Sequence, residues 1–306
     1  MRRNMYLFAP CLVLLLATLA SAASITDSEK RTLTFSQPFK RIISLYPAHT
    51  TNLLDLGLNE EIIASNSHDT RLPGRPVIQY DEDPERFLAL KPDLVLVRPM
   101  ISRAYPELVG ILEKNNVLVV SLQPTKPSEL FAYWMTLGTL TGREQQAQAM
   151  VETFNKTLAA VTKSLEKIPQ ELRKRVYFEA MHKQMKTFSR NSIAMFVLES
   201  AGGINIAADA DQIRETNIAA YGKERILAKA RQIDVFLAEH GRMNPVSVDD
   251  IVKEPGFEVI KAVRNNQVFL IEEKMVSRPT MELLDGIRLV HSLLYPDSDQ
   301  KEPEKP

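Results

Sequence analysis

The sequence predicts an α/β fold of two similar lobes, each with a central, mainly parallel sheet, joined by one long rigid α-helix. Strand-like apolar runs alternate with helical segments on both sides of the chain's middle, a pattern typical of sheets covered on both faces. A long periodic segment at 143–168 contains neither glycine nor proline. A short passage occurs twice, at 85–96 and 224–237, and each copy has a glutamate, a helix and then an apolar strand.

The N-terminus has the pattern of a secretory signal peptide. Arg2 and Arg3 form a basic start, residues 5–19 are apolar but too short to span a membrane, and Ala-Ser-Ala follows at 20–22. The only cysteine, Cys11, lies inside this segment and precedes most of its apolar run, so it is a poor lipid-attachment site. We therefore expect a mature chain without thiols, disulfides or a lipid anchor.

Charge and length limit the partners and the number of domains that the mature chain can have. The 38 basic and 38 acidic residues balance, and removing Arg2 and Arg3 leaves 36 against 38, a net charge of −2. This balance argues against nucleic acid or an anionic membrane as the main partner. The remaining chain, roughly 280 residues, suits one large domain or two modest ones and can bury a core without disulfides.

The first half of the mature chain reads as a series of β/α units. Its first strand is predicted at 41–46, where Pro47 stops it, and a helix follows at 50–58. Further strands are predicted at 62–64, 94–97 and 117–122, and further helices at 84–91, 105–116 and 128–140. Helices between successive strands indicate a parallel sheet.

A longer helix is predicted at 141–169. Thr141 and Glu144 have the spacing of a capping box, with the threonine as N-cap. Apolar residues then recur every three or four positions, and Pro169 ends the run. At about 1.5 Å per residue this helix would be roughly 40 Å long, a stiff strut between the lobes.

The second half resumes the alternation. Strands are predicted at 176–180, 233–238 and 268–271, and helices at 192–201, 224–230, 248–263 and 281–294. The last ten residues are charged and rich in proline, which predicts disorder. The predicted divisions are a signal peptide at 1–22, an N-terminal extension at 23–39, an N-terminal lobe at 40–140, the connecting helix at 141–169, a C-terminal lobe at 170–296 and a disordered tail at 297–306.

Four segments resemble the class III periplasmic substrate-binding proteins of ABC importers, the family that binds iron–siderophore complexes, haem and cobalamin. They are 40–64 with Arg-Ile-Ile-Ser-Leu at 41–45, 84–96 with Leu-Ala-Leu-Lys-Pro-Asp at 88–93, the central helix, and the C-terminus from Arg278 onward. The resemblance implies a monomer in the periplasm that is not an enzyme and has no cofactor of its own. Its partners would be a small metal-complex ligand and an inner-membrane ABC permease, which meets both lobes.

Two features depart from the family's pattern. Thr51 stands where the family often has a glutamate, and the family's N-terminal hairpin is expected to be reduced here to about 31–35. Neither departure affects the fold prediction. Because Thr51 lies beside the expected cleft, the ligand class should not be copied from any one relative.

The repeated glutamates match the family's docking residues. In the family, one glutamate on each lobe meets arginines of the permease, and the matching residues here are Glu85 and Glu224. An acid in the first turn of a helix also complements the helix dipole, so a purely structural role stays open for each. Two acids in equivalent repeats favour docking.

Candidate ligand contacts follow the carboxyl ends of the predicted strands, where ligands of parallel α/β sheets bind. They are Tyr46, His49, Arg98, Arg103, His182, Arg190, His240, Arg242 and Arg278. Cations outnumber acids at these strand ends, although Glu239, Glu272 and Glu273 are also present. Arginine suits planar anions, so the sequence predicts an anionic complex such as a ferric siderophore, or a metal oxyanion.

Several alternatives stay open. Histidines among methionines at strand ends could ligate haem, so a haem or corrinoid carrier, with iron or cobalt in the ligand, is the second interpretation. No histidine pair has tight metal-ligand spacing, and the nucleophile-elbow, phosphate-loop and His-Glu-x-x-His motifs are absent from the sequence. A periplasmic tetrapyrrole metal chelatase and a sensor without a transporter are further alternatives.

Overall fold

The N-terminal extension forms a complete hairpin. The computed structural model describes residues 22–66, 71–163, 165, 168–214 and 216–296, so residues 1–21 of the predicted signal peptide and the predicted tail at 297–306 lie outside it. Strand β1 (Ala23–Thr26) pairs antiparallel with β2 (Thr32–Phe35), which corrects the reduced hairpin expected at 31–35. Asp27 closes the turn, since its Oδ1 accepts the backbone N–H groups of Glu29 and Arg31.

The N-terminal lobe is a sheet of parallel strands covered by helices. Its elements are β3 (Ile42–Ser44), α1 (Pro47–Asp55), β4 (Ile62–Ser65), α2 (Pro84–Ala89), β5 (Leu94–Val97), α3 (Pro99–Ala104), α4 (Pro106–Lys114), β6 (Leu118–Ser121) and α5 (Leu130–Thr141). Within the described residues the strand order is β4-β3-β5-β6, and every pairing is parallel. Nearly all strand residues are buried, as expected for a sheet with two covered faces.

Proline defines where the first four helices begin. Each of α1 to α4 has proline as its first residue, where the fixed φ suits a helix and the missing N–H has no intrahelical partner to lose. Tyr46 and Arg98 are therefore the N-cap residues of α1 and α3. Tyr46 is the second residue after β3, and Arg98 is the first after β5. Because β3 and β5 are neighbours in the sheet, these two side chains emerge side by side.

The connecting helix is shorter than predicted. Helix α6 spans Glu144–Lys163, 20 residues, which is about 30 Å, and Pro169 lies beyond its end. Thr141 is not its N-cap, because the Thr141 hydroxyl donates to the Leu137 carbonyl at 2.7 Å inside α5. Gly142, with φ of 67°, ends α5 in the left-handed conformation and separates the two helices.

The C-terminal lobe has a mixed sheet with a parallel centre. Its elements are β7 (Arg175–Met181), β8 (Lys186–Phe188), α7 (Ile193–Ser200), β9 (Ile204–Asn205), β10 (Asp211–Gln212), β11 (Ile218–Ala220), α8 (Lys223–Ala228), β12 (Val235–His240), α9 (Val248–Val252), α10 (Lys261–Arg264), β13 (Val268–Glu272), α11 (Glu273–Val276) and α12 (Leu283–Leu294). In the part that the structure describes, the order is β10-β11-β8-β7-β12-β13, with β9 also pairing β7. Strands β7, β12 and β13 are parallel, whereas β8, β11 and β10 add antiparallel strands at one side.

One predicted helix is divided. The segment at 248–263 forms α9 and α10 instead of one helix, because Gly256 adopts a left-handed φ of 91° between them. The predicted α/β fold of two lobes is otherwise confirmed. None of the helices in the described part of the chain combines the length and apolar character needed to cross a bilayer.

The two lobes share one hydrophobic core. The largest cluster of buried apolar side chains includes residues of α1, α5, α6, α7 and α12, and therefore belongs to both lobes. A row of aromatic rings crosses it: Phe131 and Trp134 of α5 contact Phe154 of α6, and Phe154 stacks on Phe196 of α7 with centroids 6.5 Å apart. We call these four residues the aromatic bridge.

Candidate functional site

A tyrosine and an arginine mark the carboxyl edge of the N-terminal sheet. The guanidinium carbon of Arg98 lies 4.6 Å from the centroid of the Tyr46 ring, within the range of a cation–π contact. Arg98 also approaches Met100, whose side chain is 54% exposed at the rim. The flat face of this pair is suited to a planar or delocalised ligand group.

Residues of the C-terminal lobe complete a group around Tyr46. Burial raises the pKa of the Tyr46 hydroxyl to about 12, and the charges of Arg98, Glu273, Arg278 and Glu239 also act on it. Glu239 is near the end of β12, Glu273 begins α11, and Arg278 follows α11. We call these five residues the cleft cluster, since they come from the carboxyl edges of both sheets.

Opposite charges are mixed within the cleft cluster. Arg278 Nε donates to Glu273 Oε1 at 3.3 Å, so this arginine is already paired with an acid. Burial raises the pKa of Glu239 to about 7, against a hydrogen bond from Ser277 that lowers it. The charge of Glu273 adds to the rise, and that of Arg278 opposes it. The cluster therefore combines two guanidinium groups with two carboxyl groups, one of which has a raised pKa.

The Arg278 segment is fixed to the N-terminal lobe. The Pro279 carbonyl accepts hydrogen bonds from Asn52 Nδ2 at 2.9 Å and from Trp134 Nε1 at 3.1 Å. Both donors are fully buried. These two bonds hold the residue next to Arg278 against α1 and α5, so the position of Arg278 depends on both lobes. No pattern in the sequence indicates that the buried Trp134 makes this bond.

His49 belongs to the core, which corrects its prediction as a ligand contact. Its side chain is fully buried, with Nε2 3.2 Å from the Val97 carbonyl and Nδ1 2.7 Å from the Tyr133 hydroxyl. The carbonyl can only accept, so Nε2 carries the proton and Nδ1 accepts from Tyr133. Burial lowers the pKa of His49 to about 3 and keeps the ring neutral.

Four other predicted residues lie in separate surroundings. Arg103 of α3 forms an ion pair of 3.1 Å with Glu29 in the β1–β2 turn, and Arg190 is exposed in the loop before α7. His240 ends β12, with Nδ1 2.9 Å from the Val246 carbonyl, and Arg242 is exposed in the following loop. The expected concentration of cations is thus smaller: of the predicted arginines, the structure brings Arg98 and Arg278 to the cleft cluster.

His182 belongs to a second buried network in the C-terminal lobe. Its Nδ1 is 3.0 Å from Glu179 Oε2, and its Nε2 is 3.8 Å from Glu254, which also pairs with Lys223. The hydrogen bond to Glu179 raises the pKa of His182. His182 and Glu254 line a cavity of about 450 Å³ between the ends of β7 and β12 and helix α9. Among the described residues, no group of three or more His, Cys, Asp or Glu side chains is arranged to hold a metal ion.

The repeated glutamates occupy equivalent positions. Helices α2 and α8 are both six residues long, and Glu85 and Glu224 are the second residue of each, exposed to solvent. Two positions later, Phe87 and Ile226 are fully buried and anchor the helices. Each helix precedes a parallel strand of its lobe's sheet and must run back against it, so each glutamate lies at the carboxyl edge of its sheet.

The sequence did not single out Glu239 and Ser277 as site residues. In the sequence, Glu239 is one acid among many cations, yet an acid at the end of the apolar run Val-Phe-Leu-Ala is itself a signal. Buried acids are rare without a partner or a function. Ser277 has no comparable signal, because its position depends on how α11 returns to β12.

Comparisons with known proteins agree with this architecture. The sequence model of the family described as "Periplasmic binding protein" matches residues 42–275. The Vitamin B12-binding protein of Vibrio cholerae is 24% identical over 263 residues, which cover 84% of this chain and 90% of that protein.

Two solved structures have a similar fold. One is described as a "possible" iron-binding (periplasmic solute-binding) protein from Staphylococcus epidermidis, with a TM-score of 0.73 and 23% identity over 85% of this chain and all of that one. The other, from the ABC-type Fe3+-hydroxamate transport system of Saccharomonospora viridis, has a TM-score of 0.68 and 24% identity, over 89% and 98% of the two chains. With its two lobes, its shared core and a match from β3 to α11, this chain belongs to the class III periplasmic binding proteins.

Proposed function

We propose that the protein is the periplasmic substrate-binding component of an ABC importer, which holds a small metal complex between its lobes and delivers it to the permease. The observation that carries this proposal is the matched placement of Glu85 and Glu224. Both acids lie at the carboxyl edges of their sheets, the same edges that supply the cleft cluster. A partner that receives the ligand from the cleft would meet both glutamates at once.

The neighbours of the two glutamates support a docking role. Arg86 is held by Glu82 at 2.7 Å, and Arg225 is held by Asp211 at 2.7 Å, so each adjacent arginine is already paired with another acid. The exposed glutamates can then contact arginines of a partner. Electrostatic complementarity of this kind mainly sets orientation and association rate.

Charge reversal tests the docking role. In Glu85→Arg/Glu224→Arg we expect uptake to be lost, because like charges would face the permease, while ligand affinity stays within about twofold. Uptake of the ligand that co-purifies from the native host is measured in cells that depend on this protein, and affinity is measured by calorimetry.

Glu144→Arg/Glu171→Arg is the matched control. Both of its residues are exposed acids in first helical turns, and both changes shift the net charge equally. Glu144 begins α6 next to Gly142, which packs on Pro38 ahead of β3, and Glu171 precedes β7, so both are near the amino edges of the sheets. Equal loss of uptake in the control, or loss of ligand affinity in the docking variant, would contradict the proposal.

The mixed charge of the cleft cluster favours a ligand with neutral polar groups. Arg98 lies flat on Tyr46, Arg278 is paired with Glu273, and Glu239 adds a second acid. A strongly anionic complex would meet these acids at the base of the cleft, which costs binding energy. Of the ligand classes expected from the sequence, a corrinoid therefore fits better than a highly charged siderophore, and the matching relative from Vibrio cholerae is named for vitamin B12.

A ferric siderophore is the second candidate, since Arg98 and Arg278 are both suited to oxygen anions. Titration of the ligand-free protein with vitamin B12 and with a ferric trihydroxamate distinguishes the two. We expect binding of vitamin B12 in the nanomolar to micromolar range and much weaker binding of the iron complex. The same mixtures, analysed by mass spectrometry after incubation, would reveal a chelatase, because only an enzyme changes the metal content of its ligand.

A further inference from the structure

Glu239 is the most unusual polar residue of the cleft. Its side chain is 8% exposed, and within the described residues its Oε1 atom is buried without a hydrogen-bond partner. The buried hydroxyl of Ser277 acts on the same carboxyl as a hydrogen-bond donor. The Oε1 atom still has no partner, and a buried carboxyl oxygen without one is costly to a fold, so a native structure that keeps it needs a reason.

The register of the sheet shows which way Glu239 points. Its neighbours Ala238 and His240 pair with Glu179 of β7 and Glu272 of β13, so these two acids lie on the opposite face of the sheet from Glu239. On its own face, Glu239 is paired with the apolar Ile271. That face packs on the core shared with the N-terminal lobe.

Charged groups near Glu239 come from α11 and its continuation, and from the N-terminal lobe. Glu273 and Arg278 act on its carboxyl, and Glu239 in turn acts on Tyr46. Glu239 is therefore directed at the junction between the lobes. Burial raises the pKa of the Glu239 carboxyl to about 7.

The opposite wall supplies a complementary group. Arg98 Nε is also buried and, within the described residues, has no hydrogen-bond partner. The N-terminal wall thus offers an N–H donor, whereas the C-terminal wall offers a carboxyl acceptor and a hydroxyl. A ligand group that has both an acceptor oxygen and an N–H donor, such as a primary amide, could satisfy both walls.

From this geometry we infer that Glu239 and Ser277 form a hydrogen-bonding subsite on the C-terminal wall of the cleft, which takes an N–H-bearing group at the periphery of the ligand. The inference rests on the proposed function and adds a selectivity rule to it. Ligands with peripheral amides gain hydrogen bonds from this wall, and ligands whose periphery is entirely anionic lose affinity to it. Hydrogen bonds that a buried group makes only with the correct ligand give strong discrimination.

Two substitutions of Glu239 separate a ligand contact from a structural role. Glu239→Gln keeps an acceptor oxygen of the same shape, so it should bind vitamin B12 within about threefold of the unaltered protein. Glu239→Met removes the acceptor and should weaken binding roughly tenfold or more. Glu272→Met is the matched control, because Glu272 is an exposed acid on the neighbouring strand, paired with Lys274. It should bind as the unaltered protein does.

Urea unfolding of the ligand-free protein supplies a readout that needs no ligand. If Glu239 is retained for binding, Glu239→Met should unfold at an equal or higher urea concentration than the unaltered protein, since an unsatisfied acid has been removed. A clearly lower midpoint would assign Glu239 to the fold and overturn the inference. Equal affinity of Glu239→Met and the unaltered protein for vitamin B12 would overturn it as well.

These outcomes are distinct from failure of the proposed function. If the unaltered protein bound neither vitamin B12 nor the ferric trihydroxamate, the proposed ligand classes would be wrong. A raised urea midpoint in Glu239→Met would, in that case, still support the subsite.

Discussion

Neutral His49 is the end of a buried chain of hydrogen bonds. Asn52 Nδ2 donates to the Tyr133 hydroxyl at 3.2 Å, Tyr133 donates to His49, and His49 donates to the Val97 carbonyl. Every member of the chain is almost fully buried. Such a network fixes the rotamers of α1 and α5 directly behind Tyr46, and it works only while the imidazole is uncharged.

Because the buried hydrogen bonds require a neutral His49, we expect the stability of the protein to depend on pH. The folded protein keeps His49 neutral down to about pH 3, whereas the unfolded chain binds a proton near pH 6.5. The contribution of His49 to the free energy of unfolding is therefore fully present above pH 6.5. It is lost as the pH falls towards 3, by up to about 1.4 kcal/mol per pH unit. In His49→Gln, which cannot gain this proton, we expect a correspondingly shallower slope in urea unfolding between pH 6.5 and 4. An unchanged slope would show that other groups cause the pH dependence.

At the residue scale, three of the predicted ligand contacts lie together in the cleft cluster, and their ligand-binding role stays a prediction. Tyr46, Arg98 and Arg278 could be proposed because strand ends are recognisable from apolar runs and helix-starting prolines. The same rule also selected His49 and Arg103. Whether a side chain turns into the core, as His49 does, or outward to Glu29, as Arg103 does, depends on neighbours that are distant in the sequence.

Among the elements, the break between α5 and α6 depends on a single glycine. Gly142 has a left-handed φ of 67°, and a Cβ atom there would lie 2.8 Å from Pro38 Cγ. The break lets α6 turn back along α5 instead of continuing it. The strut expected at 141–169 is therefore the shorter helix α6, which packs along α5.

Adding a methyl group at this position should be destabilising. We expect Gly142→Ala to lower the free energy of unfolding by about 1–2 kcal/mol, because alanine is strained at positive φ. Gly110→Ala is the control with the same change. Gly110 lies inside α4 with open space around its Cβ position, so alanine should raise the free energy of unfolding by roughly 0.5–1 kcal/mol. Urea unfolding measures both, and a stabilising Gly142→Ala would show that the break tolerates other conformations.

Element types were easier to predict than element limits. Helices α2 and α8 could be recognised because the glutamate and the buried anchor recur in the same register. The start of α6 could not be predicted, because the Thr141 hydroxyl could either cap α6 or donate to a carbonyl within α5. In the structure it does the second. The antiparallel additions β8, β10 and β11 are only two or three residues long, too short to leave a pattern.

For the whole molecule, the shared core makes two lobes behave as one unit. The aromatic bridge runs from α5 through Phe154 to α7, and Pro279 is bonded to α1 and α5. These contacts leave little freedom for the lobes to separate. Under the proposed function, ligand entry and release would require small local movements of the cleft walls.

Truncating the centre of the bridge should weaken both lobes together. Phe154 is 1% exposed, so we expect Phe154→Ala to cost about 3–5 kcal/mol of unfolding free energy while a single transition is kept. Trp134 fluorescence, from the only tryptophan, and hydrogen exchange in α12 report on opposite lobes. Ile111→Ala, at a 38% exposed site on α4, should cost less than about 0.5 kcal/mol. Separate transitions for the two probes would show that the lobes are independent domains.

The shared hydrophobic core should hold the two lobes together even if the peptide chain between them is cleaved. Leu172, between α6 and β7, is 64% exposed and open to a protease. A cut there would place Phe131, Trp134 and Phe154 in one fragment and Phe196 in the other, so the two fragments would still contact each other through the aromatic bridge. Each fragment alone would expose apolar side chains of the shared core to water. The cleaved protein should therefore remain a noncovalent complex of two fragments, and the separated fragments should reassociate when they are mixed.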